Sequence, residues 1–407
     1  MPATTASASL TDQLTAELDA LARLGRRRCL RRVDGVGRRV TRDGRRLLNL
    51  ASNDYLALAS HPRLRAAAAA AARDYGPGAT ASRLIVGHHD LHARVEARFA
   101  AFKHAQAGVL FSTGFMANLG VLTALAGPGD LVCLDKLVHA SLIDAARASG
   151  ATVRTFTHLD ATALAQRLAR HAATADEVTD PLTRRTRPAR RFAVTDSVFS
   201  MDGDTADLPA RLAVCDAHHA TRVVDEAHAT GLLGETGAGL AEAQGVAGRV
   251  PITVSTASKA LAGLGGIVTA DRTVVDALVN RARSLIYTTG ATPVQAATLD
   301  AALDVVQAEP TRRDRLADMS LRVRDALAAG GWPLPASAFA TPIVPLIVGD
   351  ADAALALADR LEHAGILGVA IRPPTVSPGT ARVRLCLRAD LTDADVDQLL
   401  AAVGTPT

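Results

Sequence analysis

The chain of 407 residues is too long for one small core, so its length predicts two domains, or one large domain with an appendage. Its net charge of +4 suits an anionic substrate such as a CoA thioester and does not require nucleic acid. The four cysteines lack the spacing of a metal site and no apolar run is long enough to span a membrane, so we expect a reduced, cytoplasmic protein without a metal.

The first 40 residues predict a helix followed by a basic arm. Residues 1–10 are small and polar, and we expect them to be disordered. Leucines at positions 14, 18, 21 and 24 have helical spacing and predict an amphipathic helix over residues 11–24. Seven arginines follow, which are Arg26, Arg27, Arg28, Arg31, Arg32, Arg38 and Arg39. Nucleic-acid binding is the alternative, but no aromatic residues are interleaved, so we favour a solvated arm or one arginine that faces an anionic substrate.

Residues 60–300 alternate between helical and strand patterns. Pro62 begins an alanine-rich helix that extends to about residue 73. Short apolar runs then predict strands at residues 108–111, 131–134, 152–156, 192–195, 222–224, 252–255 and 266–269. Helical patterns between most of them predict a mostly parallel sheet with helices on both faces. The polar, arginine-rich residues 172–191 interrupt this pattern and predict a surface insertion.

A smaller α+β unit follows Pro310. A long helix to about residue 329 ends at two glycines, and strands are predicted near 343–348, 368–371 and 382–387, with one helix between them and one after. The predicted fold class is therefore α/β, with a large domain built on a mostly parallel sheet and a small C-terminal α+β domain. We predict boundaries at 1–59 for the N-terminal helix and arm, 60–300 for the large domain and 301–407 for the small domain.

One lysine stands out because the chain has only three, Lys103, Lys136 and Lys259. An arginine stays protonated and cannot act as an amine nucleophile, whereas a buried lysine can. Lys259 follows a predicted buried strand and precedes several glycines, although a surface lysine in a Ser/Gly loop would have the same sequence. Lys103 is interpreted as a solvated head on an apolar stem and Lys136 as part of a surface turn.

A carboxylate and a histidine follow another predicted strand. Asp225 ends the strand at 222–224 and His228 comes three residues later. A buried carboxylate requires a cationic partner, and the protonated ring nitrogen of pyridoxal phosphate (PLP) is one that also requires a lysine. A carboxylate at a helix N-terminus is the ordinary alternative for Asp225.

Three further polar stretches follow strands. Residues 112–118 open a helix, and their backbone N–H groups together with Gly114 could bind a phosphate. His139 could stack on a planar ring, and residues 197–204 bring hydroxyl and acidic groups to the same predicted edge. The first and third stretches could be ordinary turns and His139 could be a hydrogen-bonded structural histidine, but their joint occurrence after strands favours a cofactor site.

From about residue 49 to the C-terminus the chain resembles the α-oxoamine synthases, a family of fold-type I PLP enzymes. The matching stretches are residues 52–56, 112–118, 139–141, 198–204, 225–228, 258–260, 286–288 and 371–385. The resemblance implies a decarboxylating acyltransferase that is a homodimer with shared active sites. Residues 371–385, which begin Ile-Arg-Pro-Pro-Thr-Val, are most similar to members that condense L-alanine with a pimeloyl thioester, either pimeloyl-CoA or pimeloyl-acyl carrier protein.

The resemblance also implies a role for each matching residue. Lys259 would hold PLP covalently and remove the Cα proton, Asp225 would keep the ring nitrogen protonated, His139 would stack on the ring and His228 would hydrogen-bond its phenolic oxygen. Other implied cofactor contacts are Gly114, Phe115, Ser200 and Thr256, with Thr288 and Thr289 reaching the phosphate held by the neighbouring subunit. The implied substrate contacts are Arg26 (or Arg27), Asn53, Thr375 and Arg384.

Two other functions stay open from the sequence. One is a sibling enzyme that uses glycine and acetyl-CoA, which a comparison of amino acids and acyl donors would identify. The other is a non-enzymatic nucleic-acid-binding protein that uses the arginine-rich arm, for which binding to polynucleotide would depend steeply on salt. The intact set of implied cofactor residues disfavours the second, so we expect no nucleic-acid and no membrane partner.

Overall fold

The computed structural model describes residues 9–170, 177–180 and 182–406. The N-terminal helix α1 (Leu10–Arg23) is confirmed, begins in a capping box formed by Ser9 and Asp12, and buries none of its residues. Residues 1–8, for which we expect disorder, lie outside the described residues. The arm then forms an antiparallel pair of strands, β1 (Arg39–Arg42) and β2 (Arg45–Asn49), which the sequence did not predict.

A seven-stranded sheet forms the centre of the molecule. Its strands and the adjoining hairpin are, in chain order, β3 (Ala107–Phe111), β4 (Leu131–Asp135), β5 (Thr152–Phe156), hairpin strands β6 (Glu177–Thr179) and β7 (Thr186–Pro188), β8 (Arg191–Asp196), β9 (Thr221–Asp225), β10 (Ile252–Thr256) and β11 (Gly266–Ala270). The order in the sheet is β3-β11-β10-β9-β8-β4-β5, and only β11 runs antiparallel to its neighbours. All seven predicted strands are confirmed as members of this sheet, which buries both faces of most strands under helices.

Helices cover the sheet on both faces. They are α2 (Pro62–Tyr75), α3 (Asp90–Phe102), α4 (Gly114–Leu125), α5 (Ala140–Ala148), α6 (Ala161–Arg170), α7 (Leu208–Ala217), the short α8 (Leu240–Ala243), a 3-10 turn at Ala247–Arg249, α9 (Arg272–Arg281), the short α10 (Arg283–Ile286) and α11 (Pro293–Ala308). This arrangement confirms the predicted α/β class. Within the described ranges, no helix is both long enough and apolar enough to cross a membrane.

The C-terminal part forms the predicted α+β unit. It contains α12 (Thr311–Ala329), β12 (Ile343–Gly349), α13 (Ala351–His363), β13 (Ile366–Leu367), β14 (Val369–Ile371), β15 (Ala381–Cys386) and α14 (Asp393–Val403). Strands β12, β15 and β14 form an antiparallel sheet, whereas β13 pairs with β2 of the N-terminal arm. The domain boundaries stay a prediction.

Part of the basic arm is structural. Arg38 Nη1 and Arg39 Nη2 lie 3.0 and 2.7 Å from the two carboxylate oxygens of Asp395, which is only 3% exposed. The expectation of a solvated arm is therefore wrong for these two arginines, because a carboxylate 357 and 356 residues away in the sequence neutralises them. Local sequence pattern carries no information about such a contact.

The predicted insertion at 172–191 lies partly outside the described residues, which omit 171–176 and 181. The remainder forms the β6–β7 hairpin. Arg187 of this hairpin pairs with Asp130 at 2.6 Å, and Asp180 pairs with Arg281 at 2.7 Å, so two ion pairs attach it to the central unit.

The interpretation of Lys103 as a solvated head is wrong. Its side chain is only 2% exposed and its ammonium group pairs with Glu226, whereas Lys136 is exposed as predicted. The apolar residues that precede Lys103 correctly indicate a buried helix face. They cannot show that Lys103, directly after this helix, has an acidic partner 123 residues later in the sequence.

Candidate active site

The candidate site lies at the carboxyl ends of the central strands. Asp225 is the last residue of β9, Lys259 follows β10 by three residues, and His139 follows β4 by four. Helix α4 begins at the end of β3. Because β4, β8, β9 and β10 are parallel, their carboxyl ends meet at one edge of the sheet, and the side chains that follow them come together there.

Lys259 and His228 are in direct contact. Lys259 Nζ lies 2.8 Å from His228 Nε2, and the other ring nitrogen of His228 lies 2.8 Å from the hydroxyl of Tyr55. Burial, followed by the charge of Lys259, holds the pKa of His228 well below its usual value, so this imidazole is neutral. The sequence analysis did not assign Tyr55, although it lies in the matching stretch 52–56.

The amine of Lys259 loses its proton at a lower pH than an ordinary lysine does. Burial lowers its pKa to about 8, although the charges of Asp225 and Asp196 act in the opposite direction. A lysine with such a pKa is a nucleophile and a base close to neutral pH. This is the property for which the sequence analysis selected Lys259.

Asp225 is a buried carboxylate without a charged partner. Its oxygens accept hydrogen bonds from the backbone N–H of Ala227 at 2.8 Å and from Asn118 Nδ2 at 2.7 Å. Within the part of the chain that the structure describes, no lysine or arginine lies within ion-pair distance of it, although its side chain is almost inaccessible to water. A buried carboxylate in this state fits a ligand that brings its own positive charge.

His139 is connected to Asp225 through two polar side chains. Asn118 Nδ2 also lies 2.9 Å from Ser141 Oγ, which is 2.7 Å from His139 Nδ1. Burial lowers the pKa of His139, so its ring is neutral, and its Nδ1 accepts from the backbone N–H of Ser141 at 3.2 Å. The ring is held in one orientation at the start of α5, which is compatible with stacking on a planar ligand.

Hydrogen-bond donors suited to a phosphate gather at the start of α4. Gly114 opens the helix so close to β10 that a Cβ atom there would lie 3.3 Å from Thr256 Oγ1. Thr256 Oγ1 donates to the carbonyl of Gly265 at 3.1 Å and lies 2.9 Å from Ser258 Oγ, and Ser112 Oγ is buried without a hydrogen-bond partner among the described residues. Free N–H groups at a helix N-terminus beside several hydroxyls form an anion site. Phe115, the next residue, is exposed.

Arg384 on β15 brings a positive charge into the site. It donates to the carbonyl of Ser200 at 2.5 Å, to Asn53 Oδ1 at 3.2 Å and to the hydroxyl of Tyr55 at 3.2 Å. None of these acceptors is charged, and Arg384 forms no ion pair with any described carboxylate. A nearly buried guanidinium without a counter-ion is suited to bind the carboxylate of a substrate. Asn53 and Arg384, both predicted substrate contacts, thus lie together.

The N-terminal arm reaches the segment that contains Thr375. Arg28 Nη2 donates to Thr375 Oγ1 at 3.1 Å, and Arg372 donates to the carbonyl of Gly25. Arg26 and Arg27 lie exposed just before this contact. The structure therefore brings Arg28 to Thr375, and the assignment of Arg26 or Arg27 to the substrate stays a prediction.

Comparison with known proteins is consistent with this geometry. The model of a family described as aminotransferase class I and II matches residues 45–403. The 8-amino-7-oxononanoate synthase of Thioalkalivibrio sulfidiphilus is 44% identical to the chain, over 89% of this chain and 88% of that relative. The 8-amino-7-oxononanoate synthase of Anaeromyxobacter dehalogenans is also 44% identical, over 97% of this chain and 95% of that relative. The chain belongs to the 8-amino-7-oxononanoate synthases of this family.

Solved structures of this superfamily share the fold. A serine palmitoyltransferase from S. paucimobilis with bound PLP has a TM-score of 0.87 at 28% identity, over 97% of this chain and 98% of that one. An 8-amino-7-oxononanoate synthase from Francisella tularensis has a TM-score of 0.73 at 26% identity, over 88% of this chain and 96% of that one. The predicted fold type is confirmed.

Two residues implied by the family resemblance concern a second subunit. Thr288 is half-buried and Thr289 is exposed, directly after α10. Their predicted contact with the phosphate in a neighbouring subunit stays a prediction, as does a cofactor contact of the Ser200 hydroxyl.

Asp196 is a site residue that the sequence analysis missed. It ends β8, and its two carboxylate oxygens lie 3.3 and 3.2 Å from the backbone nitrogen of His139, which donates to them. Burial, followed by the charge of Asp225, raises the pKa of Asp196 well above its usual value. The signal that identified Asp225, a carboxylate directly after a predicted buried strand, applies equally to Asp196.

A charged network supports the strand that leads to His139. His158 lies 2.8 Å from both Asp135, at the end of β4, and Asp204, and Arg211 pairs with Asp135 at 2.8 Å. Burial alone would lower the pKa of His158, but hydrogen bonds to these two carboxylates outweigh it and raise the pKa to about 9. His158 is therefore an imidazolium at neutral pH.

This network predicts a pH-dependent contribution to stability. Because the folded-state pKa of His158 exceeds that of an unfolded histidine, its contribution is fully present below about pH 6.5 and is lost as the pH rises through about 9. We expect His158→Gln to lower the free energy of unfolding by about 2 kcal/mol at pH 6 and by much less at pH 9.5. Urea unfolding across this range measures the difference. His363→Gln, at an exposed histidine, is the control, and a loss of equal size at every pH would contradict the prediction.

Proposed function

We propose that this protein condenses L-alanine with a pimeloyl thioester, releases CO2 and the thiol of CoA or acyl carrier protein, and forms 8-amino-7-oxononanoate in the biotin pathway. Three features support the proposal. Lys259 has a lowered pKa and contacts His228, Asp225 is buried without a counter-ion, and Arg384 offers an unpaired charge to a carboxylate. The presence of both the Lys259 amine and the unpaired buried carboxylate of Asp225 in one site is the observation that carries it, because few ligands other than PLP require both.

The residues present fit PLP. Asp225 would face the ring nitrogen, His139 the ring, and the start of α4 with Thr256 the phosphate, while Asn118 Oδ1 and Ser112 Oγ are buried polar atoms without a described partner. When bound, PLP supplies an electron sink that stabilises negative charge on the amino-acid Cα.

The side chains of this chain perform the remaining tasks. Arg384 binds the carboxylate of the amino acid through its guanidinium and so fixes the position of the Cα–H bond. The neutral amine of Lys259 takes the Cα proton, and neutral His228, anchored by Tyr55, orients that amine through a hydrogen bond. Asp225 provides the negative charge that favours a protonated ring nitrogen.

The proposal includes a cytoplasmic homodimer that binds no nucleic acid and no membrane. Leu84, Ile85 and Val86 are 49%, 76% and 70% exposed, and Tyr287 is 72% exposed. Ser82 Oγ donates to the carbonyl of Ile286 at 2.9 Å, so these apolar residues lie beside the segment with Thr288. An exposed apolar surface next to residues assigned to a shared site supports a second copy as its partner.

Substrate selectivity tests the proposal. With PLP present, we expect a visible absorption band and turnover of L-alanine with pimeloyl-CoA or pimeloyl-acyl carrier protein. We expect kcat/KM for L-alanine to exceed that for glycine by about tenfold or more, because one methyl group is worth that much in a fitted pocket. L-serine with palmitoyl-CoA is included because the fold is also that of serine palmitoyltransferase.

The remaining outcomes distinguish the alternatives. A preference for glycine and acetyl-CoA would assign the protein to the sibling activity. The absence of a visible band would contradict the PLP proposal. Salt-sensitive binding to polynucleotide that is lost on deletion of residues 1–40 would then favour the arginine-rich arm as the functional element.

A further inference from the structure

Lys103 is buried at the end of α3 and is fully hydrogen-bonded. Its ammonium group donates to Glu226 Oε2, to Thr230 Oγ1 at 3.1 Å and to the carbonyl of Ala238. A lysine ammonium has three N–H donors, and all three are used here. Because Lys103 and Glu226 are only 2% and 1% exposed, the pair is shielded from water and its geometry is restricted.

Glu226 is held equally firmly on its other side. Its second oxygen, Oε1, accepts a hydrogen bond from the backbone N–H of Ala241 in α8 at 2.9 Å. Gly239 leaves the space for this carboxylate, since a Cβ atom at that position would lie 2.3 Å from Glu226 Oε2. The backbone of Gly239 has a φ of +128°, which a residue with a side chain rarely adopts. The surroundings of Glu226 are therefore shaped to its carboxylate.

In the turn at residues 225–230, residues that contact Lys103 lie between or beside residues of the candidate site. Asp225 and His228 contact Asn118 and Lys259, whereas Glu226 and Thr230 contact Lys103. Thr230 Oγ1 also donates at 3.0 Å to Ser255 Oγ on β10, four residues before Lys259. A displacement of Glu226 or Thr230 would move Asp225 and His228 with it, because the turn is only six residues long.

We propose that Lys103 and Glu226 form a buried ion pair that positions the 225–230 turn and thereby orients Asp225 and His228 toward Lys259 and the cofactor. Neither residue of the pair contacts the reacting groups, so both are positioning residues. The inference rests on the proposed function, because it assumes that the turn helps to bind PLP. A supporting ion pair of this kind has a large effect on a site, since a shift of about 1 Å costs about a hundredfold in rate.

The test uses the full-length protein with Lys103→Met, which keeps the stem and removes the charge, and Glu226→Gln, which keeps the shape. Lys136→Met, at an exposed lysine, is the matched control. Two quantities are measured on folded protein well below its melting temperature: the Kd for PLP, and the pH midpoint at which the Lys259 amine of the PLP-free protein becomes reactive. A purely structural role would lower the melting temperature and leave both quantities unchanged.

We expect each positioning variant to raise the Kd for PLP by about tenfold and to shift the pH midpoint by about one unit, with the control unchanged. Folded Lys103→Met with both values equal to those of the wild type would overturn the inference. If Lys103→Met does not fold, Glu226→Gln decides by the same criteria. Wild-type protein that binds no PLP would contradict the proposed function itself, whereas wild-type binding with unaltered variants would contradict only the positioning role.

Discussion

Replacement of Lys259 by alanine is expected to abolish the visible absorption band of covalently held PLP and to lower kcat by about 10³-fold or more. The variant lacks the amine of Lys259, which lies 2.8 Å from His228 Nε2. This amine is both the proposed nucleophile and the proposed base. No other lysine can replace it, because Lys103 is fixed in its pair with Glu226 and Lys136 is exposed outside the site. Absorption spectra and steady-state rates measure the two effects.

The control for this experiment is Lys136→Ala, which removes an exposed lysine and should leave both the band and kcat unaltered. Thermal unfolding establishes that each variant is folded. A Lys259→Ala protein that retains the band and the rate of the wild type would show that Lys259 is not the cofactor lysine. The proposed mechanism would then have no base.

Replacement of Asp225 by asparagine is expected to lower kcat by about 10²- to 10³-fold while the protein remains folded. The amide has the shape of the carboxylate and keeps an oxygen for the N–H of Ala227, but it carries no negative charge to hold a proton on the cofactor ring. The same change should lower the pKa of Lys259 further below about 8, because the charge of Asp225 raises it. Rates with saturating L-alanine and the pH dependence of the Lys259 amine measure these effects.

Asp276→Asn, at an exposed carboxylate of α9, is the control and should change neither quantity. An Asp225→Asn protein with wild-type kcat would contradict the assignment of Asp225 to the cofactor ring. An unaltered Lys259 pKa in that variant would show that the two groups do not interact.

The sequence alone determined the central sheet and the position of the site on it. All seven predicted strands occur. Strands buried on both faces appear in the sequence as short continuous apolar runs, and only the edge strand β5 among these seven is largely accessible to water. Lys259, Asp225 and His139 were predicted as site residues because each follows one of these strands, and the parallel topology gathers such residues at one edge. Asp196 carries the same signal at the end of β8.

Only the tertiary structure decided how the side chains pair. The contacts of Lys103 with Glu226, of Tyr55 with His228 and of Arg38 with Asp395 join residues 123, 173 and 357 positions apart. The spacing of apolar residues reports which face of a local element is buried, but it carries no record of what lies opposite that face. The sequence of this protein thus specified its sheet and the edge that carries the site, while long-range packing determined which charges are neutralised and which stay available for a ligand.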